Sequence, residues 1–84
     1  MSKHERLVRR ILGGKADANI AFRDLCALLH SLGFEMRVSG SHHIFRKEGI
    51  EEKINLQQDG NKAKPYQVRQ VRHLLLKYKL GGER

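Results

Sequence analysis

Cysteine is almost absent from this chain, since Cys26 is the only one in 84 residues. A lone cysteine excludes an internal disulfide framework. Cys26 falls within an apolar helical stripe, a position typical of a small buried hydrophobic side chain rather than of a reactive thiol. Residues 1–5 also lack the apolar segment of a secretory signal. Together these features predict a protein of a reducing cytoplasm.

Long hydrophobic runs and aromatic residues are scarce as well. No apolar stretch approaches the ~20 residues that span a bilayer, which argues against a membrane protein. Tryptophan is missing, and the chain has three phenylalanines and two tyrosines. Most of these aromatics fit core positions, so nucleic-acid recognition by an aromatic sheet surface is poorly supported. Tyr66, at a loop–helix junction, could stack on a base, but a core or capping position is the favoured interpretation.

Acidic residues are also scarce relative to basic ones. Seventeen Lys and Arg residues oppose nine Asp and Glu residues, for a formal net charge of +8. Such an excess favours a polyanionic partner, with nucleic acid ahead of a membrane surface. Residues 60–82 contain no acid at all but include six cations: Lys62, Lys64, Arg69, Arg72, Lys77 and Lys79.

Four of these cations are candidate RNA contacts. We expect Lys62 and Lys64 at the N-terminus of the last helix, where free N–H groups and the helix dipole favour a phosphate. Arg69 and Arg72 are three residues apart and so share a helix face. The alternative is an ordinary solvated basic surface.

Hydrophobic periodicity predicts an α+β fold. Helices are expected over residues 3–12, from about 19–22 to Gly33, and from Pro65 to Gly81-Gly82. Period-two alternation predicts strands over residues 34–39, 42–47 and about 51–56, followed by a polar loop over residues 57–64. Eighty-four residues suffice for a single domain, 1–84, with two helices covering one face of a three-stranded antiparallel sheet.

The most informative motif is Gly40-Ser41-His42-His43, between the first two predicted strands. Gly40 can adopt positive φ and lets a ligand approach the backbone. Histidine is the side chain that exchanges a proton near neutral pH. Adjacent strand residues point to opposite faces, so His42 and His43 should not line one site together. The alternative for His42 is a half-exposed strand end without a chemical role.

A metal or cofactor site is not predicted. Two adjacent histidines are a poor ligand pair, and no cysteine or carboxylate cluster stands near them at ligand spacing. A chain of this size also has no room for a deep cofactor-binding core.

The order of motifs resembles the HicA family of bacterial toxins, the ribonuclease halves of type II toxin–antitoxin pairs. The resemblance rests on Leu32-Gly33-Phe34, then Gly40-Ser41-His42, then a helix opened by Lys64-Pro65, and it covers about residues 20–80. It implies a fold like that of double-stranded-RNA-binding domains, α-β-β-β-α. Two features depart from the compact family pattern: an extra N-terminal helix and a third strand that runs on through residues 55–58.

The resemblance also implies a function. The family's catalytic histidine is that of Gly-Ser-His, which maps onto His42, with Gly40 and Ser41 as its backbone support. Expected activity is metal-independent cleavage of messenger RNA in the bacterial cytoplasm by acid–base chemistry. Lys47, Lys62 and Lys64 are candidates to stabilise the phosphoryl charge.

Implied partners are mRNA and a cognate HicB antitoxin, and no membrane. The extra helix could add a homodimer or antitoxin contact.

Two other functions stay open at this level. A non-catalytic double-stranded-RNA-binding module would share the fold and the charge, but it has no use for a titrating histidine at neutral pH. A small DNA-binding regulator would place the last helix in a groove, yet no helix-turn-helix arrangement precedes that helix.

Overall fold

The computed structural model describes residues 2–80, which form three α-helices and a four-stranded antiparallel sheet. The helices are α1 (Lys3–Gly13), α2 (Phe22–Ser31) and α3 (Pro65–Lys77), and one turn of 3₁₀ helix at Asp17–Asn19 precedes α2. The strands are β1 (Glu35–Ser39), β2 (His42–Lys47), β3 (Ile50–Asp59) and β4 (Lys62–Ala63), in the order β1-β2-β3-β4. The predicted α+β architecture is confirmed.

Local capping explains where α1 begins and ends and where α3 begins. At α1, the Ser2 side chain accepts the Glu5 backbone N–H while the Glu5 carboxylate accepts the Ser2 N–H, which is a capping box. Gly14 ends the same helix with a φ of 77°, a left-handed conformation that glycine adopts without strain. Pro65 occupies the first turn of α3, where its missing N–H costs nothing.

The end of α3 differs from the prediction. The helix stops at Lys77, and the expected terminators Gly81 and Gly82 lie outside the described residues. Lys79 takes the left-handed conformation instead, with a φ of 54°. The Leu80 N–H then donates to the Leu75 carbonyl at 3.0 Å, which satisfies an otherwise unpaired acceptor of the last turn.

The sheet has one strand more than the three expected. Residues 57–59 extend β3, and a turn with Gly60 at a φ of 64° returns the chain as β4. The expected run of the third strand through residues 55–58 is confirmed, whereas the loop predicted for residues 57–64 is wrong, because backbone pairing continues to Asp59 and resumes in β4. The Ala63 N–H also donates to the Ile20 carbonyl at 2.9 Å, so β4 is tied to the segment before α2 as well.

The hydrophobic core lies between one face of the sheet and the three helices. Phe45, Ile54 and Leu56 come from the sheet, and each is at most 1% exposed. Leu25 and Val71 represent the facing stripes of α2 and α3, both fully buried. The additional helix α1 packs on this core through Leu7, Val8 and Ile11.

A bulge in β3 connects the sheet to α3. Between the pairs Phe45–Ile54 and Lys47–Ile50, β2 has one residue and β3 has three. Within that irregular segment the Lys53 carbonyl accepts a hydrogen bond from Gln70 of α3 at 3.4 Å. Glu52, in the same segment, accepts hydrogen bonds from Lys77 and Tyr78, each at 2.6 Å. These contacts hold α3 against the sheet along its length.

Cys26 is half-buried against the core, as its position in the apolar stripe predicted. Burial raises the pKa of its thiol to about 11, well above the ~8.5 of a free cysteine. The reactive thiolate is therefore scarce at neutral pH. In the part of the chain that the structure describes, no helix is long and apolar enough to cross a membrane.

The Glu52 contacts predict a pH-dependent stability. Hydrogen bonds from Lys77 and Tyr78 lower the pKa of Glu52 from 4.5 to about 2. The carboxylate therefore stabilises the fold above about pH 4.5, and this contribution is lost as the pH falls from 4.5 towards 2. We expect Glu52→Gln to lower the melting temperature at pH 7 and to approach the wild type near pH 3, measured by circular dichroism. Glu48→Gln, at an exposed turn position, is the matched control. An equal deficit of Glu52→Gln at both pH values would contradict the assignment.

Candidate active site

The tight turn between β1 and β2 positions His42. Ser39 pairs with His42, so Gly40 and Ser41 form a two-residue hairpin loop. Gly40 has a φ of 61°, as predicted, and it stands at the first central position, where a type II′ turn places glycine. The Ser41 hydroxyl accepts a hydrogen bond from Gln57 at 3.2 Å, which ties the turn to β3.

The two histidines lie on opposite faces of the sheet. His43 pairs with Leu56 and shares the core face, where its ring meets the Phe22 ring edge-on at a centroid distance of 5.0 Å. His42 pairs with Gln57 on the other face, termed the open face because it points away from the core, and its side chain is exposed. Of these two histidines, His42 is therefore the one available to a large ligand; the alternation predicted that they would not share a site.

Asn55 contacts the His42 ring from the neighbouring strand. The Nδ1 atom of His42 lies 3.0 Å from the Oδ1 atom of Asn55. With Oδ1 of Asn55 as the acceptor, the neutral ring would donate from Nδ1, and Nε2 would keep its lone pair. Because a hydrogen bond at one ring nitrogen sets the tautomer, Asn55 prepares Nε2 to accept a proton.

A cleft opens beside His42 between the sheet and α3. It has a volume of about 230 Å³ and is lined by His42, Asn55, Gln57, Tyr66, Gln67 and Gln70. Sequence reasoning singled out only His42 and Tyr66 among these residues. The others are neutral amides at no fixed spacing from the histidine, and only the β2–β3 pairing and the position of α3 bring them together.

Three further cations lie on the open face, and sequence reasoning missed them too. Arg37, Arg46 and Lys53 line a shallow depression together with Ile44 and Glu35. Arg46 and Lys53 each adjoin a buried strand residue, Phe45 and Ile54, and this alternation is the signal that could have revealed them, whereas β1, which carries Arg37, is exposed throughout. The face that bears His42 is thus predominantly basic.

A comparison with protein-family models identifies a match to a known family. The model described as the HicA toxin of bacterial toxin–antitoxin covers residues 22–78, from the first residue of α2 to the residue after α3. The chain belongs to the HicA toxin family. No curated protein and no solved structure gives a significant match. Membership makes the chain the toxin of a toxin–antitoxin pair and implies an antitoxin partner.

The helix α1 lies outside the region that matches the HicA family. It nevertheless belongs to the same core, because Leu7, Val8 and Ile11 are buried in it. The Arg72 side chain links this helix to the matched part of the chain: its Nε donates to the Ile11 carbonyl at 2.7 Å, and its guanidinium forms an ion pair with Asp17.

The lysines expected at the HicA site lie in different places. Lys64 is the N-cap of α3, two residues before Tyr66 of the cleft. The Lys62 side chain donates to Asn19 at 2.6 Å. Lys47 ends β2 and lies over Gly33, about 16 Å along the strand from His42 at ~3.3 Å per residue. Lys64 is therefore the best placed of the three.

The two arginines of α3 differ in exposure. Arg69 is exposed, whereas the Arg72 side chain is only 21% exposed and its donors are engaged within the chain. Arg69 faces solvent, and Arg72 holds α1 and Asp17 in place. Among residues 2–80, no three His, Cys, Asp or Glu side chains gather as a metal-binding group.

The tautomer of His42 gives a direct test of the Asn55 contact. In ¹⁵N NMR spectra, we expect the neutral His42 ring of this HicA toxin to carry its proton on Nδ1. Asn55→Ala should remove that preference, whereas Asn55→Asp, which keeps an acceptor oxygen, should retain it. His30, exposed at the end of α2, is the internal control and should not respond. A proton on Nε2 in the wild type would refute the role of Asn55.

Substitutions of Arg69 and Arg72 should have different effects: one on RNA binding, the other on the stability of the fold. Arg72→Ala removes hydrogen bonds from a charged donor. The free energy of unfolding, measured in urea, should therefore fall by about 1.5–3 kcal/mol. Arg69→Ala should change the free energy of unfolding by no more than about 0.5 kcal/mol, yet weaken RNA binding in a filter assay. Equal stability losses in the two variants would contradict this division.

Proposed function

We propose that this HicA toxin is a metal-independent endoribonuclease that cleaves mRNA with His42 as the general base. The observation that carries the proposal is the His42–Asn55 contact of 3.0 Å on the open face of the sheet. It combines an accessible histidine with a partner that leaves Nε2 free for proton transfer. The basic surroundings and the net charge of +8 suit a polyanionic substrate.

In the proposed reaction, Nε2 of His42 takes the proton of an RNA 2′-hydroxyl. The resulting oxyanion attacks the adjacent phosphorus, and the bond from phosphorus to the 5′-oxygen breaks. The 5′-oxygen takes up a proton from water and leaves as a hydroxyl, while the upstream fragment ends in a 2′,3′-cyclic phosphate. General base catalysis of this kind contributes typically 10²–10⁴-fold.

Fixed cations support the negative charge that grows on the phosphoryl oxygens. Lys64 is the first candidate, since it caps α3 beside the cleft. Arg37, Arg46 and Lys53 extend the basic surface along the sheet and suit the phosphates of a longer strand. His43 takes no part, because it lies against Phe22 on the core face.

The proposed setting is the bacterial cytoplasm, with mRNA as substrate and a HicB-type protein as antitoxin. An acidic partner surface would associate rapidly with this basic chain and would do so less tightly at high salt. The exposed side of α1, which includes the half-exposed Leu12, is a candidate contact for the antitoxin or for a second copy of the chain.

Cleavage of a synthetic RNA tests the proposal. We expect the purified chain to yield 5′-hydroxyl and 2′,3′-cyclic phosphate ends, to act in the presence of EDTA, and to leave the matching DNA intact. His42→Ala should lower the rate about 10²–10⁴-fold without loss of fold. The ends are assigned by mass spectrometry and the fold by circular dichroism.

Two histidine variants serve as controls. His30→Ala changes an exposed residue eight positions along α2 from Phe22, and it should cleave like the wild type. His43→Ala should cost stability through the lost Phe22 contact but retain cleavage per folded molecule. RNA binding without cleavage by the wild type would instead favour the double-stranded-RNA-binding module. Equal cleavage by His42→Ala and the wild type would refute His42 as the base.

A further inference from the structure

Tyr66 occupies a position that packing does not explain. It lies in the first turn of α3 and is 54% exposed, so the expected core or capping role is wrong. The buried stripe of α3 lies elsewhere on the helix, at Val68, Val71 and Leu75 among others. The Tyr66 side chain instead lines the cleft that contains His42. An exposed aromatic ring beside a catalytic group is a surface on which a flat ligand can stack.

Two glutamine side chains give the same cleft a fixed polar lining. Gln70 donates its amide nitrogen to the Lys53 carbonyl at 3.4 Å, which leaves its own carbonyl oxygen as an acceptor. Gln57 donates to the Ser41 hydroxyl at 3.2 Å and likewise retains an acceptor oxygen. Because both amides are held by the protein, their oxygens are oriented before a ligand arrives, which lowers the entropic cost of binding.

The size of the cleft suits a single flat group. Pockets for drug-sized ligands measure roughly 300–1,000 Å³, whereas this cleft measures about 230 Å³. A nucleobase has aromatic faces for stacking and N–H groups at its edge for the glutamine oxygens.

The chemistry at His42 determines which base can reach the cleft. In RNA, the base is bonded to the carbon next to the one that carries the 2′-hydroxyl. A histidine that removes the proton of that hydroxyl is therefore separated from the same nucleotide's base by a single sugar. The cleft that His42 and Tyr66 both line lies within this short reach.

We infer that Tyr66, Gln57 and Gln70 form a subsite for the base on the 5′ side of the cleaved phosphate. Tyr66 stacks on the base, and the glutamine oxygens accept hydrogen bonds from its edge. The inference rests on the proposed ribonuclease activity and extends it, because such a subsite gives the enzyme a preference among cleavage positions.

The test is a titration with the four nucleoside 3′-monophosphates, followed by NMR. We expect the Tyr66 ring signals and the side-chain amides of Gln57 and Gln70 to shift. Tyr66→Ala should weaken binding roughly 5- to 100-fold, the range that loss of a stacking ring produces. Tyr66→Phe keeps the ring and should bind within about twofold of the wild type. Leu76→Ala is the matched control, since Leu76 is 63% exposed on the same helix but outside the cleft.

Mapping the cut sites on a long RNA separates this inference from the nuclease proposal. A wild-type protein that cleaves, together with a Tyr66→Ala variant that loses rate and position preference, supports both. If Tyr66→Ala cleaves at the same positions and rate, the subsite is refuted and the nuclease stands. If nucleotides shift Tyr66 but no RNA is cut, the nuclease is refuted and the base-binding site stands. Shifts confined to the depression near Arg37 and Arg46 would refute the subsite.

Discussion

The pairing of β2 with β3 determines the chemistry that each histidine can perform. A strand sends consecutive side chains to opposite faces, so the pairs His42–Gln57 and His43–Leu56 cannot share an environment. His43 packs against Phe22 at the edge of the core, and His42 is exposed to solvent next to Asn55. A shift of this pairing by one residue would exchange the two faces, so that His43 rather than His42 would lie on the open side.

The bulge in β3 also shapes the candidate site, because the bulged segment attaches α3 to the sheet. Glu52 and Lys53 belong to the irregular segment, and both accept hydrogen bonds from the last helix. That attachment places the first turn of α3, with Tyr66, beside the open face. The candidate site therefore depends on a structural contact at the opposite end of the helix, near Tyr78. Helix position therefore depends both on these hydrogen bonds and on the buried stripe that includes Val68 and Val71.

The large positive charge of the chain serves two purposes. Some cations hold the fold together: Arg72 joins α1, Asp17 and α3, and Lys77 binds Glu52. Others remain exposed, and three of them line the face that carries His42. Net charge alone cannot separate the two groups, because an arginine in a helix has the same sequence signature whether its partner is a carbonyl of the protein or a phosphate of RNA.

Local sequence determined the helices, the main strands, the Gly40 turn and the placement of the two histidines on opposite faces. Each of these depends on neighbouring residues, through capping, alternation or a positive φ at glycine. Only the tertiary structure decided that Asn55 contacts His42, that Tyr66 is exposed and that β4 forms. Those results depend on residues brought together from distant parts of the chain: Asn55 is 13 positions from His42, and the bulge that sets the strand pairing carries no local signal. A pattern of hydrophobicity specifies which face is buried, but it does not specify which polar side chains meet on the face that stays open.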